Sequence, residues 1–509
     1  MQITRHRVVR PRRFLTIAEE NALPGDASGW SISGAGDTSN VGFARTMSVQ
    51  VGGTVQFSCS GSGTVLDIYR IGWYGGAGWR KVATVTNTAT TQSAPATISS
   101  SNGGTTCTGW SVTASWDVPD TATSGLYVGV YRNSGLTNAS WIPFVVEDAA
   151  RVADVVVKTS DSTWLAYNAY NSGRDFYGQN YDYVLDNRAH ATSYHKPIIT
   201  RQSKAASYWM NAEAPLIRWL ERNGYSVKYV SSWGLDQNPS CIDNASVFIS
   251  SGHDEYWSQN MRDKVVARRD QGMHLLFMSG NEVFWRTRMP DSAELRCYKD
   301  TMSGPAGHTS GVALDPVTWT GTWKDTRSAN NGTRAAENTL TGQDFRMNDR
   351  GTTDFSVTFS GSGSYASHPF WRNTPVASGS DVTVGQIVGF EADEMLPTRP
   401  GSVTLASQTY TINGARADSD GATYTNNGSL GWGVVSQRWP SGATVVGFGT
   451  VQWAWGLDDT HDRGSAVANT TMRQATCNLL RDLGAKPDTL QSGLTMPTPQ
   501  ALSNYGSTA

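Results

Sequence analysis

The stretch from Val247 to Ser258, VFISSGHDEYWS, limits what this chain can fold into more than any other. Val247, Phe248 and Ile249 form a short apolar run of the kind that is buried inside a parallel sheet. The run breaks at Ser251-Gly252 and is followed by His253, Asp254, Glu255, Tyr256 and Trp257. The next residues, QNMRDKVVARRDQG, predict a helix with Ser258 as its N-cap and Gly272 just past its end. Strand, turn and helix together place five chemically capable side chains at a strand's carboxyl end, where open α/β sheets bind ligands. The same residues also read as a turn whose carboxylates favour the helix N-terminus and whose aromatic rings pack.

The surrounding pattern extends this unit. From Ala153 (ADVVVKTSDSTW) onward, buried strands alternate with helices. The helix NAEAPLIRWLERNGY ends at Gly224, SVKYVSS follows as a strand, and MHLLFMSG is a later strand with GNEVFW at its carboxyl end. Such a succession predicts a parallel sheet with right-handed crossovers. A β-rich segment over about 313–443 reads as an insertion or a sheet extension, after which the chain returns through ATVVGFGTVQWAWGLDD and the helix AVANTTMRQATCNLLRDLG. Residues 30–148 carry only short alternating strands between Gly, Ser and Asn breaks, which predicts a β-sandwich of immunoglobulin size. There, Trp110, Val112, Ala114 and Trp116 are expected on one strand face. The aromatic loop IGWYGGAGW suits either core packing or stacking on a sugar. The expected division is a basic arm (1–29), the sandwich (30–148), an α/β domain with the insertion (150–485) and a loose polar tail (486–509).

Charge and composition remove several function classes. Lys+Arg 41 against Asp+Glu 43 leaves a net charge of −2, so nothing electrostatic supports a nucleic-acid partner. Abundant glycine and tryptophan with 17% charged residues suit β-rich, loop-rich domains of extracellular type. The five cysteines form no CxxC pair, which disfavours zinc and iron–sulfur sites; Cys59 and Cys107 fall in one domain and are candidates for a bridge. No run reaches the roughly 18 apolar residues of a membrane span. The N-terminus shows no secretory apolar segment, so the expectations are a signal already removed, exit by a non-classical route, or the cytoplasm. The arginines of the arm (Arg5, Arg7, Arg10, Arg12, Arg13) either dock on an acidic partner or partner subunit, or are simply solvated.

Taken in order, LDIYRIGWYGG, WLAYNAYNSG, WLERNGY, SGHDEYWS, SGNEVFWRTR, CYKD, TWTGTW, AENTLTG and GTVQWAWGLD resemble the large-subunit (beta) family of N,N-dimethylformamidase. The resemblance covers roughly residues 30 to 485. It implies an immunoglobulin-like β-sandwich followed by an α/β core related to glutamine-amidotransferase-like, flavodoxin-type folds. It also implies an amidohydrolase with one iron, Fe(III), held by two tyrosinates and a glutamate. Tyr256 matches one tyrosine ligand and Glu337 matches the glutamate. The second tyrosine belongs to a family pattern NAEYP, where this chain has Ala214; Tyr208, nearly two turns earlier, would have to substitute.

Amide hydrolysis needs a polarised carbonyl, an activated water and a proton for the leaving amine. A metal ion can supply the first two, and phenolate and carboxylate oxygens are hard donors suited to Fe(III). His253 is a candidate proton shuttle, Glu255 or Glu391 a candidate general base, and Asn168 a candidate ligand for a substrate oxygen. Glu391 and Asp393 also read as members of a strand-end ion pair, and His253 as a hydrogen bond within the turn. Cys297 is not on a strand–turn–helix elbow, and no GxSxG, HExxH, GxxxxGKS or GxGxxG occurs. Two other readings stand beside a hydrolase of small amides: a catalytically weakened relative acting as a binding, cargo or effector protein, and a carbohydrate-binding surface protein.

Overall fold

The computed structural model describes residues 14–32, 39–98, 103–136, 138–179, 187–238, 240–290, 293–301, 311–330, 335–348, 354–417 and 424–508. The arginines of the N-terminal arm lie outside the described residues. The chain is β-rich, with several sheets and few, short helices.

The N-terminal part holds two antiparallel-dominated sheets. Strands Asn40–Ala44, Thr54–Gly61 and Ala114–Asp117 make one; Ser48–Gln50, Ser140–Glu147, Gly125–Arg132, Val65–Ile71 and Trp79–Thr86, in that spatial order, make the other. Val55, Phe57 and Cys59 from the first meet Leu66, Ile68, Tyr127 and Phe144 from the second in a shared core. The alternation expected of Trp110 to Trp116 holds only from Ala114: Val112 is exposed, and Trp110 packs in a separate cluster with Phe43 and Cys107. Pairing with Thr54–Phe57 starts at Ala114, so the earlier residues never join the strand. Cys59 and Cys107 are not bridged. Each is a free buried thiol in its own apolar cluster, and burial pushes both up to about 12.

The aromatic loop serves packing. Trp79 is fully buried, its ring 5.1 Å from both Trp30 and Trp141 and 6.1 Å from Trp209, so it joins the sandwich to the second half of the chain. That half is organised on one nine-stranded sheet. Numbered in chain order, its strands are β1 Ala153–Lys158, β2 Val227–Val230, β3 Ala245–Gly252, β4 His274–Ser279, β5 Gln343–Met347, β6 Ala392–Met395, β7 Val403–Ala417, β8 Tyr424–Arg438 and β9 Thr444–Gly447. They lie in the order β2-β1-β3-β4-β9-β8-β7-β5-β6. The first five positions pair in parallel, and from β9 onward the pairing is antiparallel. The segment read as an insertion therefore extends the parallel sheet on one side.

Two helices begin at side-chain caps, and a third stops at a glycine. Ser258 accepts the Met261 N–H and caps Gln259–Arg269, and Asn469 caps Thr470–Asp482. The helix Glu213–Arg222 is followed by Gly224 at φ +66°, the left-handed stop glycine accommodates. The tail past Lys486 is not loose: Tyr505 is fully buried, donates to Asp482 at 2.8 Å and accepts from Ser436 Oγ at its carbonyl. Ile249, fully buried on β3 between β1 and β4, carries the central layer of the core. Ile249→Ala is expected to cost about 2–5 kcal/mol, read from the urea unfolding midpoint.

Candidate functional site

The strand β3 ends at Gly252, whose φ of +87° and position against the helix Glu213–Arg222 exclude a side chain: a Cβ there would stand 3.0 Å from the Ala212 Cβ. The backbone then turns and sends consecutive residues to different duties. Asp254 turns inward, where its carboxylate meets Lys158 Nζ at 2.8 Å and accepts from Ser250 Oγ at 2.7 Å, all fully buried. A buried charge needs this kind of partnering, so Asp254 and Lys158 form a structural pair.

Glu255 lies among donors. Its carboxylate accepts from Tyr167 Oη at 3.0 Å, Tyr177 Oη at 3.1 Å and Trp285 Nε1 at 2.8 Å, and its backbone N–H donates to Thr163 Oγ1. Burial raises its pKa against the opposing pull of His253 and Lys299. His253 Nε2 stands 2.7 Å from Glu391 Oε2 and 3.3 Å from Glu255 Oε2. Burial disfavours the imidazolium, but the Glu391 carboxylate, helped by Glu255 and Asp254, outweighs it and raises the histidine's pKa. Glu391 is itself fixed from both sides, accepting from Asn281 Nδ2 at 2.6 Å and Asn348 Nδ2 at 2.7 Å. The other ring nitrogen of His253, Nδ1, is 3.0 Å from Ser207 Oγ.

Beside this pair lies an aromatic and ammonium cluster. Lys299 Nζ donates to Tyr256 Oη at 2.6 Å, and Tyr256 Oη is 2.6 Å from Tyr177 Oη. The ammonium lies 4.0 Å from the Tyr177 ring centre and 4.2 Å from that of Trp285. Burial brings Lys299 down to about 8 and, with the neighbouring Glu255, holds the Tyr256 phenol well above its ordinary range.

A cavity of about 460 Å3 opens next to His253, lined by Arg201, Lys204, Ala205, Ala206, Phe390, Asp462 and Arg463. The Phe390 ring is 5.3 Å from the His253 ring and edge-on to it. Phe390 sits at φ +40°, a conformation bulky residues avoid, at a cost on the order of 1–3 kcal/mol. Asp354 holds it there by accepting its N–H at 3.0 Å, while Arg463 lies 5.0 Å over its ring.

The structure thus brings together His253, Glu255, Glu391 and Tyr256 of the residues singled out in the sequence. Asn168 is not among them. Its side chain clamps the loop after Lys196, donating to Pro197 O at 2.9 Å and accepting from Ile199 N at 3.0 Å. Asp393 accepts from the Asn281 backbone N–H at 2.8 Å, and burial raises its carboxyl to about 8. Glu337 stands 2.6 Å from Lys324 Nζ, which also binds Asp344. The Phe284 ring faces Lys324, and the Trp285 ring faces Lys299. Tyr208 is buried with its ring against Trp164 and Trp209. A shared Fe(III) would need the oxygens of Tyr256, Glu337 and Tyr208 at one point. Here each has its own neighbours, and lysine ammonium groups stand on the first two. Among the described residues the buried Tyr208 Oη makes no hydrogen bond, and no step below is routed through the ion.

Sequence reasoning passed over Ser207, Tyr167, Tyr177, Asn281, Trp285, Lys299 and Asn348. Four of them lay inside motifs already conspicuous in the chain: Tyr167 in WLAYNAYNSG, Asn281 and Trp285 in SGNEVFWRTR, and Lys299 in CYKD. Ser207, Tyr177 and Asn348 carried no such signal.

Residues 65–466 match the family model described as N,N-dimethylformamidase beta subunit-like, C-terminal. No curated protein matches the chain.

Proposed function

We propose that this chain, which belongs to the N,N-dimethylformamidase beta subunit-like family, is a hydrolase that cleaves the C–N bond of a small linear amide, with His253 as its acid–base group. The observation that carries this is the buried contact of His253 with Glu391 at 2.7 Å, with Phe390, against the His253 ring, lining a cavity of about 460 Å3. Either ring nitrogen of an imidazole can take a proton while the other is held by a carboxylate. Glu391, anchored by Asn281 and Asn348, orients the ring and stabilises the imidazolium formed when the attacking group gives up its proton. His253 then returns that proton to the leaving amine. Glu255, surrounded by the donors Tyr167, Tyr177 and Trp285, adds a second carboxylate that keeps the ring in place. In the same reading the N-terminal sandwich is immunoglobulin-like and the parallel half of the large sheet is of the flavodoxin type. The test is amine release from a panel of formamides and short N-alkyl amides, with His253→Ala as the control. Turnover in the wild type and none in the control supports the reading; no turnover of any amide overturns it.

A second reading, a relative that has lost catalysis and works by binding or as a delivered cargo, is favoured by the ammonium groups seated on Tyr256 and Glu337. Among the described residues no helix is long and apolar enough to cross a membrane. Metal content bears on both readings. Purified protein supplied with iron is expected to hold well below about one iron per chain and to show no tyrosinate-to-iron colour, since lysine ammonium groups already stand on two of the three donors. Stoichiometric iron, seen by elemental analysis, would mean that Tyr256, Glu337 and Tyr208 regroup around it.

A further inference from the structure

The lining of the 460 Å3 cavity combines two kinds of group. Arg201, Lys204 and Arg463 stand against one acid, Asp462, while Phe390 and two alanines supply apolar surface. The arginines are held in place. Arg201 takes both Asp462 oxygens, at 2.8 and 2.9 Å, and its guanidinium lies 4.5 Å over the Trp141 ring. Arg463 Nη1 donates to Asp354 at 3.1 Å, and its guanidinium lies 5.0 Å over Phe390. The segment that carries Asp462 and Arg463 is itself tied down. Asp462 N–H donates to Met210 O at 3.1 Å, Ser465 N–H donates to Gln386 Oε1 at 2.7 Å, and the His461 ring stacks on Trp455 at 4.3 Å. Even with Asp354 counted, although it is outside the lining, cations exceed acids by three to two. Arg201 and Arg463 are 21% and 25% exposed, so salt screens an anion beside them less than on an open surface.

We propose that this cavity is a binding site for a small organic carboxylate with an apolar body. A guanidinium held over a ring offers a planar fork of N–H donors, the shape that a carboxylate matches. Lys204 adds a point charge to the same wall. The Phe390 ring and the alanine methyls give an apolar body a surface to rest on, which a bare inorganic anion cannot use. Because the arginines are already held, binding orders few side chains, and more of the contact energy is seen as affinity. The site is one of recognition. It needs no proton transfer and stands apart from the role given to His253.

The test is isothermal titration calorimetry of the full chain at low salt with phenylacetate, its neutral counterpart 2-phenylethanol, and inorganic phosphate. Phenylacetate is expected to bind at least about tenfold more tightly than either of the others, the scale of one hydrogen bond to a charged group. Its affinity should fall as salt is added. Arg463→Gln should weaken phenylacetate at least about tenfold, with folding checked by the thermal midpoint because Asp354 also holds the Phe390 backbone. Lys204→Gln repeats the test at a partly exposed residue and should weaken binding in the same direction. No phenylacetate binding at millimolar concentration overturns the proposal. So do equal affinities for the acid and the alcohol, tighter binding of phosphate than of phenylacetate, or unchanged affinity in both variants. A chain that binds phenylacetate as expected but turns over no amide keeps this site and loses only the hydrolase reading. Amide turnover without phenylacetate binding does the reverse.

Discussion

Glu221→Ala is expected to destabilise the folded chain by about 3–5 kcal/mol, the range for breaking one side of a fully buried ion pair. Glu221 sits on the helix Glu213–Arg222 and Arg70 on the sandwich strand Val65–Ile71, and both side chains are fully buried. The guanidinium reaches the carboxylate with two bonds, 2.7 Å and 2.8 Å, and Tyr229 Oη and Asn21 Nδ2 each donate to it at 2.8 Å. Truncating the acid strands a guanidinium whose remaining partners are neutral, chiefly Ser124 O at 2.8 Å. The cost is desolvation left uncompensated rather than the net value of the pair. The double variant Arg70→Met with Glu221→Ala should therefore recover a large part of the loss in a urea titration. Because the pair joins the sandwich to the helix over the large sheet, a loss below about 1 kcal/mol, the level of a surface ion pair, would mean that water reaches this junction.

The strand, turn and helix around Val247–Gly272 were legible in the sequence because each carries a local cause: an apolar run, a glycine at positive φ and a serine cap. The same holds for the parallel succession from Ala153 onward and for the β-rich extension. Tertiary choices had no local cause to read. Cys59 and Cys107 share a domain but sit in different apolar clusters, and spacing in sequence says nothing about which cluster receives a thiol. The tail is polar in composition, yet the buried Tyr505 and backbone bonds such as Gln500 N to Asp482 anchor it. At the site, His253, Glu255 and Tyr256 came from one contiguous stretch, and Glu391 stood out as a strand-end acid. Ser207, Lys299 and Tyr177 converge from three separate segments, and only the packing of those segments brings them within hydrogen-bond reach. Asn168 shows the converse: its type suits a substrate oxygen, but the loop it stands beside takes both ends of its amide.

The larger effect is expected at the acid–base pair. His253→Ala should lower amide turnover by about 10²–10⁴-fold, the contribution of a positioned general acid–base group. Glu391→Gln should lower it by a similar order while leaving an oxygen for Asn281 or Asn348 to bond, so its thermal midpoint is expected to move little. The two losses should fall mainly in kcat, because neither side chain lines the cavity and the groups that do are unchanged. The informative result is the double variant. If Glu391 acts only by orienting His253 and stabilising its charged form, its removal costs nothing once the histidine is gone, and the double variant should be no slower than His253→Ala alone. Multiplicative losses would instead give Glu391 a task of its own, as a base acting on water independently of the ring, and would reverse the order of roles argued for the two residues.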